Sequence, residues 1–512
     1  MNGAEALLRT AVAAGVDTCF ANPGTSEIAL VAALDRVPEV RAVLGLFEGV
    51  CTGAADGYGR MADRPALTLL HHGPGFANGI ANLHNAWRAR SPLVNLVGDH
   101  PDRHLPFDAP LTSDIESLAR PVSDWLRRAA SAKDLARDAA EALAAAGRTP
   151  GCVATLVVPS DASTGEADGP ARPRVPEAAP AVPPGRVEEA ARILRGGGPA
   201  VLFLGAHGLR ERGLSAAGRI AAATGCRLVA ETFPARLERG AGLPAVERLP
   251  YFPEQVLQTL GQARWLVAAG APEPVSFFAY PGLPSRLVPE GCEAFALAAP
   301  REDVPAALEA LADALRGRGG SAAPAARPQR PRGSLDPISL GAALAAVQPE
   351  GAIVVEEAAT SGGPWFGLAA GAPRHSYLGL TGGAIGQGLP VATGAALACR
   401  ERPVVAFQAD GGGLYTLQSL WTQAREGLDV TNLICANRAY RILQLELARA
   451  GVAEPGPQAR ALTDLSHPAL DWVSLARGFG VPAERADTAE DLVRALERAF
   501  AEPGPHLIEA VL

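Results

Sequence analysis

Asp410 and Asn437 each stand directly after a short apolar run, Pro403–Gln408 and Val430–Cys435 respectively. A carboxylate, an amide oxygen and a backbone carbonyl just past Asn437 would form a hard oxygen donor set that leaves coordination positions open. Such a set suits Mg²⁺, which completes its octahedron with water and phosphate oxygens. Gly411, Gly412 and Gly413 follow Asp410. Three glycines let backbone N–H groups come close to a phosphate at the start of the next helix. The plainer reading of these residues is a glycine-rich turn and an ordinary strand-end asparagine.

Such chemistry needs a scaffold to hold it. Between the two apolar runs, Leu414, Leu417, Leu420 and Trp421 recur at helical spacing. The stretch Pro403–Tyr440 therefore predicts strand, helix, strand: a βαβ unit. Its right-handed crossover makes the strands parallel. Asp410 and Asn437 then sit at carboxyl ends of parallel strands, where open α/β sheets bind ligands.

The stretch resembles the thiamine-diphosphate motif of the acetolactate synthase and benzoylformate decarboxylase superfamily, in which Gly-Asp-Gly is followed, a helix later, by Asn-Asn. Ala409 and Ala436 depart from that pattern, whereas Asp410 and Asn437 keep it. The resemblance implies thiamine diphosphate and Mg²⁺ as cofactors. It also implies Asp410, Asn437 and the main-chain carbonyl of Ala439 as metal ligands, with Gly411, Gly412 and Asn437 beside the cofactor.

The whole chain sets further bounds. Its 512 residues are too many for one core. The net charge is −8, and no basic stripe stands out, which argues against nucleic-acid binding. Lys133 is the only lysine. The first residues carry Glu5, Arg9 and Asp17 within the apolar run and no basic lead, unlike a signal peptide. No apolar stretch approaches the roughly 18 residues of a membrane span. Seven cysteines are scattered singly with no CxxC, which fits reduced thiols in a cytoplasm.

Strands alternate with helices throughout. In residues 1–165, strands at Thr18–Phe20, Arg41–Phe47, Ala66–Leu70 and Leu93–Val97 each lead into a polar loop, and Cys152–Val158 closes the set. A Pro- and Asp-rich connector precedes a second α/β unit, 187–315, and a Pro-, Arg- and Gly-rich linker precedes a third, 337–512. The expected fold is α/β, with three doubly wound parallel-sheet domains. The resemblance names them pyrimidine-binding (1–165), central (187–315) and diphosphate-binding (337–512), and it covers nearly the full length.

Glu48 follows a strand and opens the helix EGVCTGAADGYGRMA. Gly49, Gly53 and Gly57 line one face of that helix and permit very close packing. A carboxylate beside such a contact would be desolvated; a helix-start glutamate beside the dipole is the alternative. In the family, a glutamate here bonds the pyrimidine ring of the cofactor, so the resemblance implies that role for Glu48. Asn22-Pro23-Gly24-Thr25-Ser26-Glu27 resembles the family's NPGxxE loop, where benzoylformate decarboxylase-like members carry a catalytic serine. Thr25 aligns with it and Ser26 is adjacent. His71, before Gly73-Pro74-Gly75, falls where those decarboxylases have an active-site histidine, and could relay protons. A structural strand-end histidine is the alternative. Solvated or capping roles are expected for His72, His84, His100 and His104.

In the central unit, the family's second histidine aligns with about Phe277, so a two-histidine relay would be incomplete. No element requires FAD, and none is predicted. In the third unit, the resemblance implies Thr360, with Ser361 beside it, as a diphosphate contact. In Thr381-Gly382-Gly383-Ala384-Ile385-Gly386, the Gly383 carbonyl would bond the cofactor's amino group and Ile385 would wedge beneath it. The implied reaction is decarboxylation of a small-molecule 2-oxo acid through an enamine, releasing an aldehyde. The alternatives are carboligation, as in acetolactate synthases, and a catalytically degenerate homologue that keeps the cofactor site. The resemblance also implies a homodimer at least, with a tetramer favoured. The glycine face of Gly49, Gly53 and Gly57 is the surface expected at the subunit contact.

Overall fold

The computed structural model describes residues 1–320 and 322–512. The apolar runs of the first segment become β1 (Thr18–Asn22), β2 (Arg41–Leu44), β3 (Ala66–His71), β4 (Leu93–Asp99), β5 (Trp125–Arg128) and β6 (Val153–Pro159). They form one sheet in the order β2-β1-β3-β4-β6-β5, parallel throughout. β4 and β6 are buried along their whole length. Burial on both faces explains their continuous apolar sequence. β5, WLRR, is a half-buried edge strand, and its mixed sequence did not predict it. The chain leaves β1 for β2 on one side and returns to β3 on the other. The loops after β1 and β3 therefore flank a crevice of the kind that binds ligands.

The Glu48–Ala62 helix is buried from Glu48 through Met61. Its small residues admit other backbones. A Cβ on Gly57 would lie 2.0 Å from the Val391 carbonyl oxygen, and one on Gly53 would meet Pro390 at 2.7 Å. From the other side, a Cβ on Gly394 would lie 1.8 Å from the Ala54 oxygen. The glycine face expected at a subunit contact is thus taken by the Gly388–Ala398 helix of the same chain. Gly49 faces Phe47 and Asn78 instead.

The second compact unit comprises Ala178–Arg327 and Ala369–Gly379. It holds β7 (Ala200–Leu204), β8 (Arg227–Ala230), β9 (Leu237–Arg239), β10 (Glu247–Arg248), β11 (Trp265–Ala269) and β12 (Glu293–Ala298). Five of these form a sheet in the order β10-β8-β7-β11-β12. Residues 167–183 and 322–333, which span two of the boundaries of this unit, contain neither helix nor strand.

The last segment supplies β13 (Ile353–Glu357), β14 (His375–Gly379), β15 (Val404–Ala409), β16 (Val430–Ala436), β17 (Ala483–Ala486) and β18 (His506–Val511). β14 pairs antiparallel with β9 inside the second unit. The other five run parallel in the order β17-β18-β16-β15-β13. With the first sheet they belong to one compact unit of residues 1–177, 328–368 and 380–512. All seven cysteines carry free thiols. Among the described residues, no helix is long and apolar enough to cross a membrane.

Candidate active site

β15 and β16 are neighbours in register, with Ala409 opposite Cys435. Asp410 and Asn437 therefore emerge at adjoining strand ends. Asp410 is buried and accepts the Gly411 N–H at 2.8 Å and the Arg438 N–H at 2.6 Å. Its carboxylate thus ties the two loops together. Burial pushes the Asp410 carboxyl above its usual range, against the pull of those two amides. Asn437 Oδ1 accepts the Ala439 N–H at 3.1 Å. Arg438, between them, has φ 54°. This left-handed turn brings 437 and 439 to the same end of the strand.

Gly411 and Gly412 leave room that their neighbours use. A Cβ at Gly411 would meet the Tyr440 ring at 2.5 Å, and one at Gly412 would meet Glu357 at 2.6 Å. Ser361 is buried and Thr360 half-buried after β13, in a turn through Ala359 at φ 49°.

The Gly-rich loop 381–388 is pinned from three directions. Asn85 donates to the Ala384 carbonyl at 2.8 Å, and Asn82 to the Gly386 carbonyl at 3.3 Å. Thr416 donates to the same Gly386 carbonyl at 2.8 Å. Glu357, at the end of β13, accepts the N–H groups of Gly386 and Gly388. Burial pushes the Glu357 carboxyl up to about 7. Gly383 and Gly386 take left-handed φ values of 78° and 93°, which glycine alone adopts freely. Ile385 projects from the held loop and stays 37 % exposed.

Glu48 is 7 % exposed at the start of its helix. Asn78, on the His72–Ala89 helix, donates to its Oε2 at 3.0 Å. Asn82, one turn on, reaches the Gly386 carbonyl, so one helix face links the Glu48 carboxylate to the Ile385 loop.

Around the β1/β3 crevice, His71 Nδ1 lies 2.7 Å from Glu27 Oε2 and 3.4 Å from Ser26 Oγ. Glu27 is fully buried and accepts the Gly24 N–H at 2.7 Å. Ser26 Oγ also bonds His72 Nε2. Thr25 is exposed. Thus Ser26 meets the imidazoles, while Thr25 stands outside that contact. His72 differs from the solvated or capping role expected for it. It is 2 % exposed, its ring lying between Ser26 and Asp99, and its φ is 52° as the helix begins. In the second unit, Phe277 is 41 % exposed and packs with Phe233, Tyr251 and Phe278.

Sequence reasoning missed Asn78, Asn82, Asn85 and Glu357 as site supports, and gave Glu27 no role. Glu27 carried a signal, because a glutamate three residues after Gly24 at a helix start is a capping-box position. The three asparagines lie on one helical face, a pattern visible in the sequence but silent about its partner.

The residues fit thiamine diphosphate with Mg²⁺. The oxygen donors gather at adjoining strand ends, glycines open the backbone around them, and Ile385 is an apolar side chain held outward by a pinned loop.

The chain is similar to known proteins. The family described as thiamine pyrophosphate enzyme, N-terminal TPP binding domain, matches residues 1–118, and the corresponding C-terminal TPP binding domain matches residues 365–510. The chain is 53 % identical to IlvX of Mycobacterium tuberculosis, provisionally named an acetolactate synthase large subunit, over 100 % of this chain and 99 % of that one. It is 31 % identical to benzoylformate decarboxylase of Pseudomonas aeruginosa, over 97 % and 96 % of the two chains. The solved structure of the thiamine diphosphate-dependent 4-hydroxybenzoylformate decarboxylase of Rhodococcus jostii RHA1 superposes with a TM-score of 0.88 at 26 % identity, covering 99 % and 98 % of the two chains.

Proposed function

The chain belongs to the thiamine pyrophosphate (diphosphate) enzymes of acetolactate synthase and benzoylformate decarboxylase type, and from that premise we propose that it decarboxylates a 2-oxo acid and releases an aldehyde. Bound thiamine diphosphate would supply the electron sink for breaking the bond to CO₂. Asp410, Asn437 and the Ala439 carbonyl would hold Mg²⁺. Thr360, Ser361, Gly411 and Gly412 would hold the diphosphate, Glu48 and the Gly383 carbonyl the pyrimidine, and Ile385 would support the cofactor between them.

The observation that carries the decarboxylase reading is the pairing of Glu27 with His71 at 2.7 Å, with Ser26 beside the ring. Aldehyde release needs a proton at the carbon that loses CO₂. Hydroxyl and imidazole groups held beside a buried carboxylate can pass that proton. The similarity to benzoylformate decarboxylases supports the same reading. Carboligation is the second reading, favoured by the 53 % identity to the provisional acetolactate synthase subunit.

The active form is a homodimer at least and a tetramer by family habit, working in the cytoplasm. Helices Arg441–Arg449 and Pro457–Ala461 bury no residue, and Leu443 and, just past the second helix, Leu462 are exposed, apolar surface that a second copy would cover. Light scattering of the purified chain tests this, and an active monomer rejects it.

The functional test is incubation with thiamine diphosphate, Mg²⁺ and a panel of 2-oxo acids including pyruvate and benzoylformate. Carbon dioxide with free aldehyde supports the decarboxylase. Carbon dioxide with acetolactate or another acyloin replaces it with the carboligase. Silence across the panel, with cofactor bound, overturns both.

A further inference from the structure

His72 is a histidine in the left-handed region, with φ 52°. Non-glycine residues adopt that conformation uncommonly, histidine more readily than most. Its two ring nitrogens face different groups. Nε2 bonds Ser26 Oγ, while Nδ1 lies 3.6 Å from Asp99 Oδ1. Among the described residues, Nδ1 is buried without a hydrogen-bond partner. Asp99, at the end of β4, is 4 % exposed. Its Oδ2 lies 3.3 Å from Arg128 Nη2, which also donates to the His100 carbonyl at 3.2 Å and lies 2.8 Å from Asp102 Oδ1, while Asp99 Oδ1 accepts the His100 N–H at 2.8 Å.

We propose that Asp99, His72 and Ser26 form a second carboxylate–imidazole–hydroxyl relay, in which Ser26 delivers the proton that replaces CO₂ on the substrate carbon. The order carboxylate, imidazole, hydroxyl is recognised by geometry rather than by sequence position. The 3.6 Å gap between His72 and Asp99 is longer than a hydrogen bond, and catalytic contacts are often long in unliganded enzymes and tighten when substrate binds.

The proton balance is simple. The Ser26 O–H bond breaks as its proton passes to the substrate carbon. The His72 Nε2–H proton passes to Ser26 Oγ. His72 is left neutral, with Nδ1–H still toward Asp99, and regains one proton from solvent. No oxidant or reductant is needed. Ser26 is the group that touches substrate; His72 and Asp99 are positioning residues.

The other titratable groups around His72 are His71 and Glu27 beside Ser26, His100 and Asp99 from β4, Arg128 from β5, and His104. Glu27 is engaged with His71 and the Gly24 amide. The His100 ring lies 4.5 Å from that of His72 between centroids. Burial and the neighbouring imidazoles hold its pKa below the usual histidine value. Asp99 is left as the carboxylate that faces the His72 ring.

The proposal rests on the decarboxylase reading for its chemistry, but its geometry can be tested without cofactor. Full-length protein labelled with ¹⁵N-histidine is examined by magic-angle-spinning NMR, with His72→Asn supplying the assignment by difference. Asparagine tolerates the left-handed position, so that variant should fold. At alkaline pH, wild-type His72 is expected as the Nδ1–H tautomer, and Asp99→Asn is expected to switch it to Nε2–H. An Nε2–H ring in the wild type, or no change in Asp99→Asn, overturns the relay.

In the second arm, Ser26→Ala, His72→Asn and Asp99→Asn each lower kcat for 2-oxo acid decarboxylation by about 100-fold. KM and calorimetric affinity for thiamine diphosphate stay within about twofold. Unchanged kcat in all three overturns the proton role. If the wild type releases no CO₂, the decarboxylase reading falls by itself, and the tautomer measurement still decides the relay.

Discussion

The Glu357 carboxylate accepts the Gly386 N–H at 2.7 Å, from a strand end that is fully enclosed. Its other oxygen takes the Gly388 N–H. A buried acid thus holds the loop that presents Ile385. Two amide donors favour the charged form, yet burial outweighs them and pushes the carboxyl up to about 7.

This relationship predicts a pH dependence with a definite sign. The folded pKa, about 7, stands above the ordinary value of 4.5. The folded chain therefore binds the proton more tightly than the unfolded one. The stabilisation is complete below about pH 4.5 and is lost as pH rises through about 7, a span worth about 3 kcal/mol at most. Glu357→Gln removes the titration. The fall in Tm between pH 5 and pH 8 should be smaller in this variant than in the wild type. Equal falls would show that Glu357 does not titrate in this range.

Contact between the Glu48–Ala62 and Gly388–Ala398 helices predicts intolerance of a single methyl. At Gly57 a Cβ would come within 2.0 Å of the Val391 carbonyl oxygen, which is backbone and cannot rotate aside. Gly57→Ala should destabilise the chain by about 1–3 kcal/mol or more, read as a lower Tm. Gly185→Ala is the control. That glycine has nothing within 4 Å of the added atom, and Tm should hold or rise. A wild-type Tm in Gly57→Ala would mean that the two helices do not meet this closely.

The βαβ unit at 404–436 was legible because apolar runs bounded by glycines leave few alternatives. A residue placed directly after each run, such as Asp410 or Asn437, must emerge at a strand end. What escaped was whatever depended on partners far along the chain. Glu357 read as the polar end of a strand, since nothing near it in sequence marks the loop that its carboxylate holds. The glycine face of Gly53 and Gly57 announced a close neighbour but not which one, and the Gly388 helix of the same chain fills the place expected for a second subunit. His72 read as solvated because the groups that enclose it, Ser26 and Asp99, are distant in the sequence. The edge strand Trp125–Arg128 escaped because its two arginines hide any alternation.

If the donors at the strand ends hold Mg²⁺ as proposed, binding of the cofactor should depend on the metal. Asp410→Asn and Asn437→Ala should each weaken Mg²⁺-dependent binding of thiamine diphosphate by more than about tenfold, or about 1.4 kcal/mol, as measured by titration calorimetry. Removing Mg²⁺ with a chelator should weaken the wild type as strongly and the variants hardly further. A variant that remained fully sensitive to the chelator would place the metal elsewhere.

The last prediction separates a charge from its support. Glu48 keeps its carboxylate at the head of a buried helix, and Asn78 donates to one of its oxygens at 3.0 Å. Glu48→Gln removes the acid while keeping the shape. If that acid handles a proton in the reaction, kcat should fall by about 10²–10⁴-fold, with cofactor affinity falling less than about tenfold. Asn78→Ala keeps the acid and removes only the bond that aims it, so kcat should fall by about tenfold. The double variant should then be no worse than Glu48→Gln alone, because there is no longer an acid to aim. Independent, multiplying losses would mean that Asn78 acts on the reaction by a route other than Glu48.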